Sequence, residues 1–283
     1  AMRQKGQAVR KTVQNLCGRL TKKLAIQEKE LEATYDRERL RQLGDILTAN
    51  LHRIVKGQTT VQCEDFYDEE MRPVDIPISP ILSPNQNAAK YYKRYTKAKT
   101  AEKYLREQMA LARRDLAYLE SVLQEIQQAE TEQDFLDIRG EMSDAGFIRK
   151  QGRKVLQRPS KPREFKTSGG FRVLVGRNNR QNDKLTMKDA NNNDIWFHTK
   201  NIPGSHTVLV TDGKAPTETA MEEAAVLAAQ HSRAKDSAQV PVDYTQIRYV
   251  SKPQGAKPGM VIYVQYKTVY VDPTTESKAK QQS

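Results

Sequence analysis

At 283 residues, with 37% of them hydrophobic and 29% charged, the chain is too polar to be organised around one large core, and two parts suit it better. Its formal net charge of +12 calls for a polyanionic partner, a condition that ribosomal RNA, tRNA, an anionic membrane surface and acidic glycans all meet. No run approaches the ~20 apolar residues of a membrane span, and Cys17 and Cys63 stand in unrelated segments without ligand spacing, as in a reduced compartment.

Helix-forming sequence begins directly after Ala1-Met2, with neither a capping box nor a secretory pattern, as expected of a piece from inside a longer helix. Val13, Leu16, Leu20, Leu24, Gln27 and Leu31 recur at close to heptad spacing among Lys, Arg, Glu and Gln. This narrow seam predicts one arm of a two-helix coiled coil, over about 1–43. A partner arm over about 88–140 turns Tyr95, Ala98, Leu105, Ala112, Leu119, Leu123 and Ile126 inward. The arms are expected to be antiparallel, because the chain between them folds and returns.

That inserted middle subdomain, about 44–87, opens at Gly44, which is expected to weaken the first helix. A short apolar helix over Asp45–Val55 follows, closed by Gly57. Alternation around Val61, Cys63, Val74 and Ile76 predicts a β-hairpin with strands near 59–66 and 73–78. Pro77, Pro80 and Pro84 end it, and Ser83–Asn87 starts the second arm. Residues 148–166 carry eight Lys or Arg against Glu164, with Pro159 and Pro162, and predict a flexible basic linker. A compact domain spans 167–273, with strands at Phe171–Val175, Ile195–Phe197 and Thr207–Val210, a helix from Thr217 to about Arg233, and strands near 245–250, 260–265 and 267–271. The polar tail 274–283 is expected to be disordered. The fold class is therefore α+β: a long antiparallel two-helix coiled coil with a small β-hairpin-containing middle subdomain, then a compact α+β C-terminal domain.

Three groups of residues in the C-terminal domain suit RNA. Arg177, Asn178, Arg180, Gln181, Asn182 and Asp183 form a polar stretch opened by Gly176, whose amides can bond phosphate, ribose or base edges. The same Asn and Asp side chains can instead simply close a turn. Trp196 and His198 share one face of a strand and can stack a base, although a single aromatic is more often core. Pro203-Gly204-Ser205-His206 offers backbone amides to an anion, or His206 caps the loop locally. In the second arm, Lys90, Lys93, Arg94, Lys97, Lys99, Lys103 and Arg106 crowd together with several tyrosines and one acid, Glu102. Lys90, Lys93, Arg94, Lys97 and Lys103 are candidates for RNA or ribosome contact, against the plainer reading of a solvated coiled-coil face. No metal-ligand spacing, nucleophile arrangement or phosphate loop is present, so no catalytic residue, metal or cofactor is expected, and binding is favoured over catalysis.

The word Gly176-Arg177-Asn178-Asn179-Arg180-Gln181-Asn182-Asp183-Lys184-Leu185-Thr186, followed by Trp196-Phe197-His198 and Pro203-Gly204-Ser205-His206, resembles the RNA-binding R domain of the NFACT family. Ala224–Ser232, Val242–Thr245, Lys252–Gly259 and Thr268–Val271 resemble the rest of that domain, while Leu47–Leu51 and Ser83–Ala88 match the family's coiled-coil and middle region. The resemblance covers nearly the whole chain. It implies a cytosolic role on the large ribosomal subunit in ribosome-associated quality control, gripping rRNA or tRNA, with alanine tailing of stalled chains confined to full-length members. The family's tRNA-selecting Asp-Arg element belongs to an N-terminal domain that this chain lacks, so Asp36-Arg37 is not that element. A rival reading comes from family members described as fibronectin-binding surface adhesins, which implies a cell-surface role by a non-classical route.

Overall fold

A computed structural model describes residues 2–149, 160–275 and 278–282, with side chains from Gly6 onward. The chain divides into two compact units, Leu20–Arg113 and Ala1–Arg19 with Arg114–Ser283. Helices α1 (Met2–Glu32) and α3 (Pro84–Gln128) contribute residues to both.

In the 20–113 unit, Leu24, Gln27 and Leu31 of α1 and Leu105, Met109 and Ala112 of α3 are buried, which realises part of the heptad seam. Arg113 meets Glu28 at 3.2 Å, and Arg37 pairs with Glu102. As the number rises on one side of these pairs it falls on the other, so the two segments are antiparallel. The chain leaves the seam through a turn over 33–36, where the Thr34 hydroxyl donates to the Leu31 carbonyl at 2.7 Å, and re-enters a helix as α2 (Arg37–Ala49). A 3-10 turn, Leu51–Arg53, and the antiparallel strands β1 (Thr60–Glu64) and β2 (Pro73–Pro77) follow. Ile46, Leu47, Ile54, Val61, Cys63, Ile76, Ile78, Ala88 and Tyr91 close the subdomain's core. Ser83 and Gln86 form a reciprocal cap at the start of α3, and the buried Asn87 amide ties Ser79 into the same corner.

The helix break thus falls at 33–36 and not at Gly44, which lies buried inside α2. A Cβ on Gly44 would sit 3.0 Å from the Tyr92 ring. That ring is held at its far end, because its hydroxyl donates to Asp45 Oδ1 at 2.6 Å. Glycine is required here for close approach of an anchored ring, which sequence spacing does not reveal. Gly44→Ala separates the two accounts. A mere helix weakener would gain up to ~1 kcal/mol from alanine. With Tyr92 in the way the substitution is expected to cost about 1 kcal/mol or more, read as a lower denaturant midpoint by circular dichroism.

In the other unit the second arm ends at Gln128, and α4 (Glu132–Asp144) starts a separate helix, capped reciprocally by Thr131 and Asp134. The domain that follows is one antiparallel sheet of β3 (Arg163–Lys166), β4 (Arg172–Val175), β5 (Ile195–Thr199), β6 (Thr207–Val210), β7 (Val240–Gln246), β10 (Lys267–Val271) and β11 (Lys280–Gln281). Its order is β10-β7-β5-β6-β4-β3-β11, and β8 (Val250–Ser251) and β9 (Ile262–Tyr263) pair separately. Between β4 and β5 come α5 (Asn179–Lys184) and a π-turn, Leu185–Asp189. Helix α6 (Glu218–Gln230), capped by Thr217, covers one sheet face through Ala220, Ala224, Ala225, Ala228 and Ala229, whose small side chains let the helix lie close. Leu185, Trp196, Val208, Ile247 and Val250 form a second core.

Two sequence expectations need correction at the ends of this domain. The expected basic linker, 148–166, already contains β3, because Arg163 and Phe165 turn inward while Lys166 faces solvent; residues 150–159 of that linker lie outside the described residues. The tail expected to be disordered supplies β11, which pairs Lys280 with Lys166 and Gln281 with Phe165 and buries Ala279. An otherwise open edge of β3 recruits it.

Candidate nucleic-acid interface

The polar word after Gly176 folds into α5, and its amides point into the protein. Asn178 caps the helix, its Oδ1 accepting from Gln181 N–H at 2.9 Å. Gln181 accepts from Arg177 N–H at 2.9 Å and donates to Ser160. Asn182 Oδ1 accepts from His206 N–H at 3.2 Å, and Asp183 accepts from Gly259 N–H at 2.9 Å while pairing with Lys252. Gly176 is obligatory, since a Cβ there would overlap Asn182 Oδ1. Gly259, at φ +76°, likewise leaves room for Asn179. The turn-closing reading therefore describes these side chains better than free hydrogen-bonding capacity does.

The same word docks on the helices. Glu141 of α4 is buried and accepts from the Tyr118 hydroxyl at 2.7 Å, Asn179 Nδ2 at 3.2 Å and Arg180 N–H at 3.1 Å. Asn179 also donates to Ser121 Oγ at 2.9 Å. Arg177 reaches Glu130 at 3.2 Å and Asp134 at 3.5 Å, and Arg180 pairs with Asp144. Both arginines expected to meet phosphate are thus already matched to carboxylates. Glu125 lies buried in the same cluster, beside the Asn179 backbone, and neither of its oxygens reaches full hydrogen-bond geometry with a described residue. Burial first, then the Glu141 charge, pushes the Glu125 carboxyl well above the usual carboxylate range. Burial raises Glu141 as well, opposed by its three donors. Tyr118, Ser121, Glu125 and Gln128 recur every three or four residues without Lys or Arg. This polar stripe was the available sequence signal for the docking surface, and periodicity analysis tuned to apolar seams passes over it.

Trp196 is 1% exposed, packed edge-on to His206 and parallel to His198, with Tyr263 against it. It has no open face on which to stack a base, so the core reading holds for this ring. His206 bridges the Thr186 hydroxyl at 2.8 Å and the Gly259 carbonyl at 3.1 Å, and burial lowers its pKa to about 3. With Nε2–H donating to Gly259, Nδ1 accepts from Thr186, a fixed neutral tautomer. His198 spans the Thr199 and Gly204 carbonyls. Gly204 forms a bridge to Ser232, and Ser205 donates to Gln128 Oε1 at 3.3 Å. The loop expected to hold an anion is therefore bonded internally.

The basic run on α3 is different. Lys90, Lys93, Arg94, Lys97 and Lys103 are all exposed. The one acid in that stretch, Glu102, is engaged by Arg37 and Arg106. Arg94 lies 5.5 Å over the Tyr91 ring. Among the described residues no helix is long and apolar enough to cross a membrane.

An exposed cationic helix face and a separate antiparallel sheet domain place the chain in the class of proteins equipped to meet polyanions. Residues 1–161 match the model of the NFACT N-terminal and middle domains, and residues 161–265 match that of the NFACT protein RNA binding domain. The chain belongs to the NFACT family. It is 38% identical to the Rqc2 homolog RqcH of Bacillus subtilis (strain 168) over 283 residues, 99% of this chain and 49% of the relative. The Rqc2 homolog RqcH of Streptococcus pneumoniae serotype 2 is also 38% identical, over 98% of this chain and 50% of the relative. The chain thus spans about half the length of these relatives. Among solved structures, the C-terminal of the fibronectin/fibrinogen-binding protein from Streptococcus suis superposes with a TM-score of 0.78 at 33% identity, covering 98% of this chain and 97% of that one.

Two outcomes follow from the docking geometry. Asn182→Ala strands the buried His206 N–H and is expected to destabilise the protein by about 1–3 kcal/mol while leaving the salt dependence of RNA binding unchanged; a reduced salt slope would return Asn182 to the interface. The Glu125 carboxyl, raised in the folded state, costs nothing below its unfolded value and its full penalty once pH exceeds the folded one. Glu125→Gln mimics the protonated acid. It is expected to raise the melting temperature near ~pH 8 and to change it little near ~pH 5, measured by calorimetry at both pH values.

Proposed function

We propose that this chain is a non-enzymatic RNA-binding segment of a longer NFACT protein. It serves ribosome-associated quality control in the cytoplasm, by contacting the large ribosomal subunit through rRNA or tRNA. The observation that carries this reading is the run of exposed cations from Lys90 to Lys103, whose one intervening acid is already engaged. Lysines on successive turns of one helix fit the phosphate spacing of a nucleic-acid backbone, and a field of this sign attracts any RNA before shape selects among them. The likeness to the RqcH relatives supports the ribosomal assignment. Rescue of stalled nascent chains and their alanine tailing belong, in this reading, to the whole protein.

A second reading, binding of fibronectin at the cell surface, draws support from the likeness to the streptococcal fibronectin/fibrinogen-binding structure. One experiment separates the two. The chain is titrated with large ribosomal subunits, bulk tRNA and fibronectin from about 50 to about 200 mM salt. Saturable subunit or tRNA binding is expected, and Lys93→Ala with Arg94→Ala should lower the salt slope by about 0.7–0.9 for each phosphate no longer neutralised. Salt-resistant fibronectin binding, with no preference for subunits and no effect of the double substitution, would make adhesion the function and the lysine run a solvated face.

A further inference from the structure

One corner of the sheet stands open. Strand β10 is its outer edge, and Tyr270 on it is 63% exposed, with Tyr266 just before it 45% exposed. Both lie on the face away from α6. Thr268 donates to the buried Asp243 at 2.6 Å, as Tyr263 does at 2.8 Å, and the Tyr263 ring packs on Trp196 in the second core. Tyr270, two residues beyond Thr268, shares its face. Tyr266 is fixed there by an edge contact with Tyr263, ring centroids 5.1 Å apart, and by Lys200 Nζ, 5.2 Å from its ring centre. The cover supplied by the segment after β7 ends at Tyr263, and beyond it the rings face solvent, with Ile262 and Val264 also exposed.

The chemistry of this corner is specific. Two exposed tyrosine rings, one on β10 and one just before it, offer π surface, and Lys200 stands over the Tyr266 ring as a cation. The carboxylate beneath, Asp243, is buried, bonded to two hydroxyls and 3.8 Å from Lys200 Nζ, so it presents no outward negative charge. Rings that stack any base and lysines that take its phosphates are what an unpaired polynucleotide requires.

We propose that Tyr266 and Tyr270, with Lys200, form a stacking platform for unpaired bases of single-stranded RNA. This rests on the RNA-binding reading above and gives it a place on the C-terminal domain, where the polar word around α5 is turned inward. An added protein strand is the other occupant an edge invites. The lysine held at the Tyr266 ring favours RNA.

The test is anisotropy of a labelled oligouridylate of about twelve nucleotides titrated with the whole chain at low salt. Tyr266→Ala with Tyr270→Ala is expected to weaken binding by about tenfold or more. Tyr266→Phe with Tyr270→Phe should retain the wild-type affinity, because rings and not hydroxyls do the stacking. Lys200→Ala should lower the salt slope by about 0.7 if it releases one phosphate. Equal melting temperatures for the variants exclude unfolding as the cause. Unchanged affinity in the alanine pair, while Lys93→Ala with Arg94→Ala loses binding, overturns the platform and leaves the RNA reading standing. A phenylalanine pair as weak as the alanine pair overturns stacking. An alanine pair that alters only self-association in sedimentation assigns the edge to a protein strand. No binding of oligouridylate, tRNA or subunits by the wild-type chain removes the RNA reading and the platform together.

Discussion

The larger unit depends on the burial of one carboxylate. Glu141 accepts a tyrosine hydroxyl, an asparagine amide and a backbone N–H, and those donors come from α3 and from the opening of α5. A carboxylate removed from water is costly unless its lone pairs are filled, and removing one partner of such a group costs several kcal/mol. The sheet domain and the helices are therefore joined by a bond set that tolerates little rearrangement. Glu125 makes the arrangement tighter: burial first and then the Glu141 charge push its carboxyl well above the usual range, so ionising both groups is costly.

This constraint redistributes the work among the residues. The amides around α5, the two glycines that admit them and the neutral His206 are used to assemble the domain. They fix backbone groups from four separate segments, at Ser160, Arg177, His206 and Gly259. A side chain committed to a buried backbone partner cannot also read a base without leaving that partner unsatisfied. In the proposed reading, recognition is left to what remains outside: the lysine run on α3 and the tyrosine corner at β10.

Much of this was legible in the sequence. The heptad seam, the hairpin after it and the Thr217 helix announce themselves through period and capping, because local physics decides them. The α5 word also stood out, correctly, as a place where many polar groups must be satisfied at once. Its direction was not legible. Whether Asn182 faces solvent or the His206 backbone depends on a residue more than twenty positions away, and whether Trp196 is platform or core depends on Tyr263. Gly44 failed for the same reason, its meaning being set by Tyr92. The partners of α5 were hidden best of all, since Tyr118, Ser121 and Glu125 sit within a segment whose apolar seam dominates the pattern.

The two kinds of cation divide along the same line. Arg163 donates to the Gln128 carbonyl at 2.7 Å, Arg177 to the Lys161 carbonyl at 2.9 Å, and Arg180 to the Gly140 carbonyl at 3.3 Å, besides their carboxylates. Their planar, forked donors suit fixed partners, and the fold spends them on its own joints. The exposed lysines from Lys90 to Lys103 carry a compact, well-hydrated charge on a flexible stem, and among the described residues nothing comparable holds them. Such groups follow a phosphate backbone without demanding one geometry, and salt releases them readily. A net charge of +12 therefore overstates the rigid positive surface and understates the mobile one. The lysines supply attraction that any polyanion satisfies, so discrimination among RNAs has to come from shape and from rings held in place, a condition that the anchored Tyr266 meets and the buried Trp196 does not.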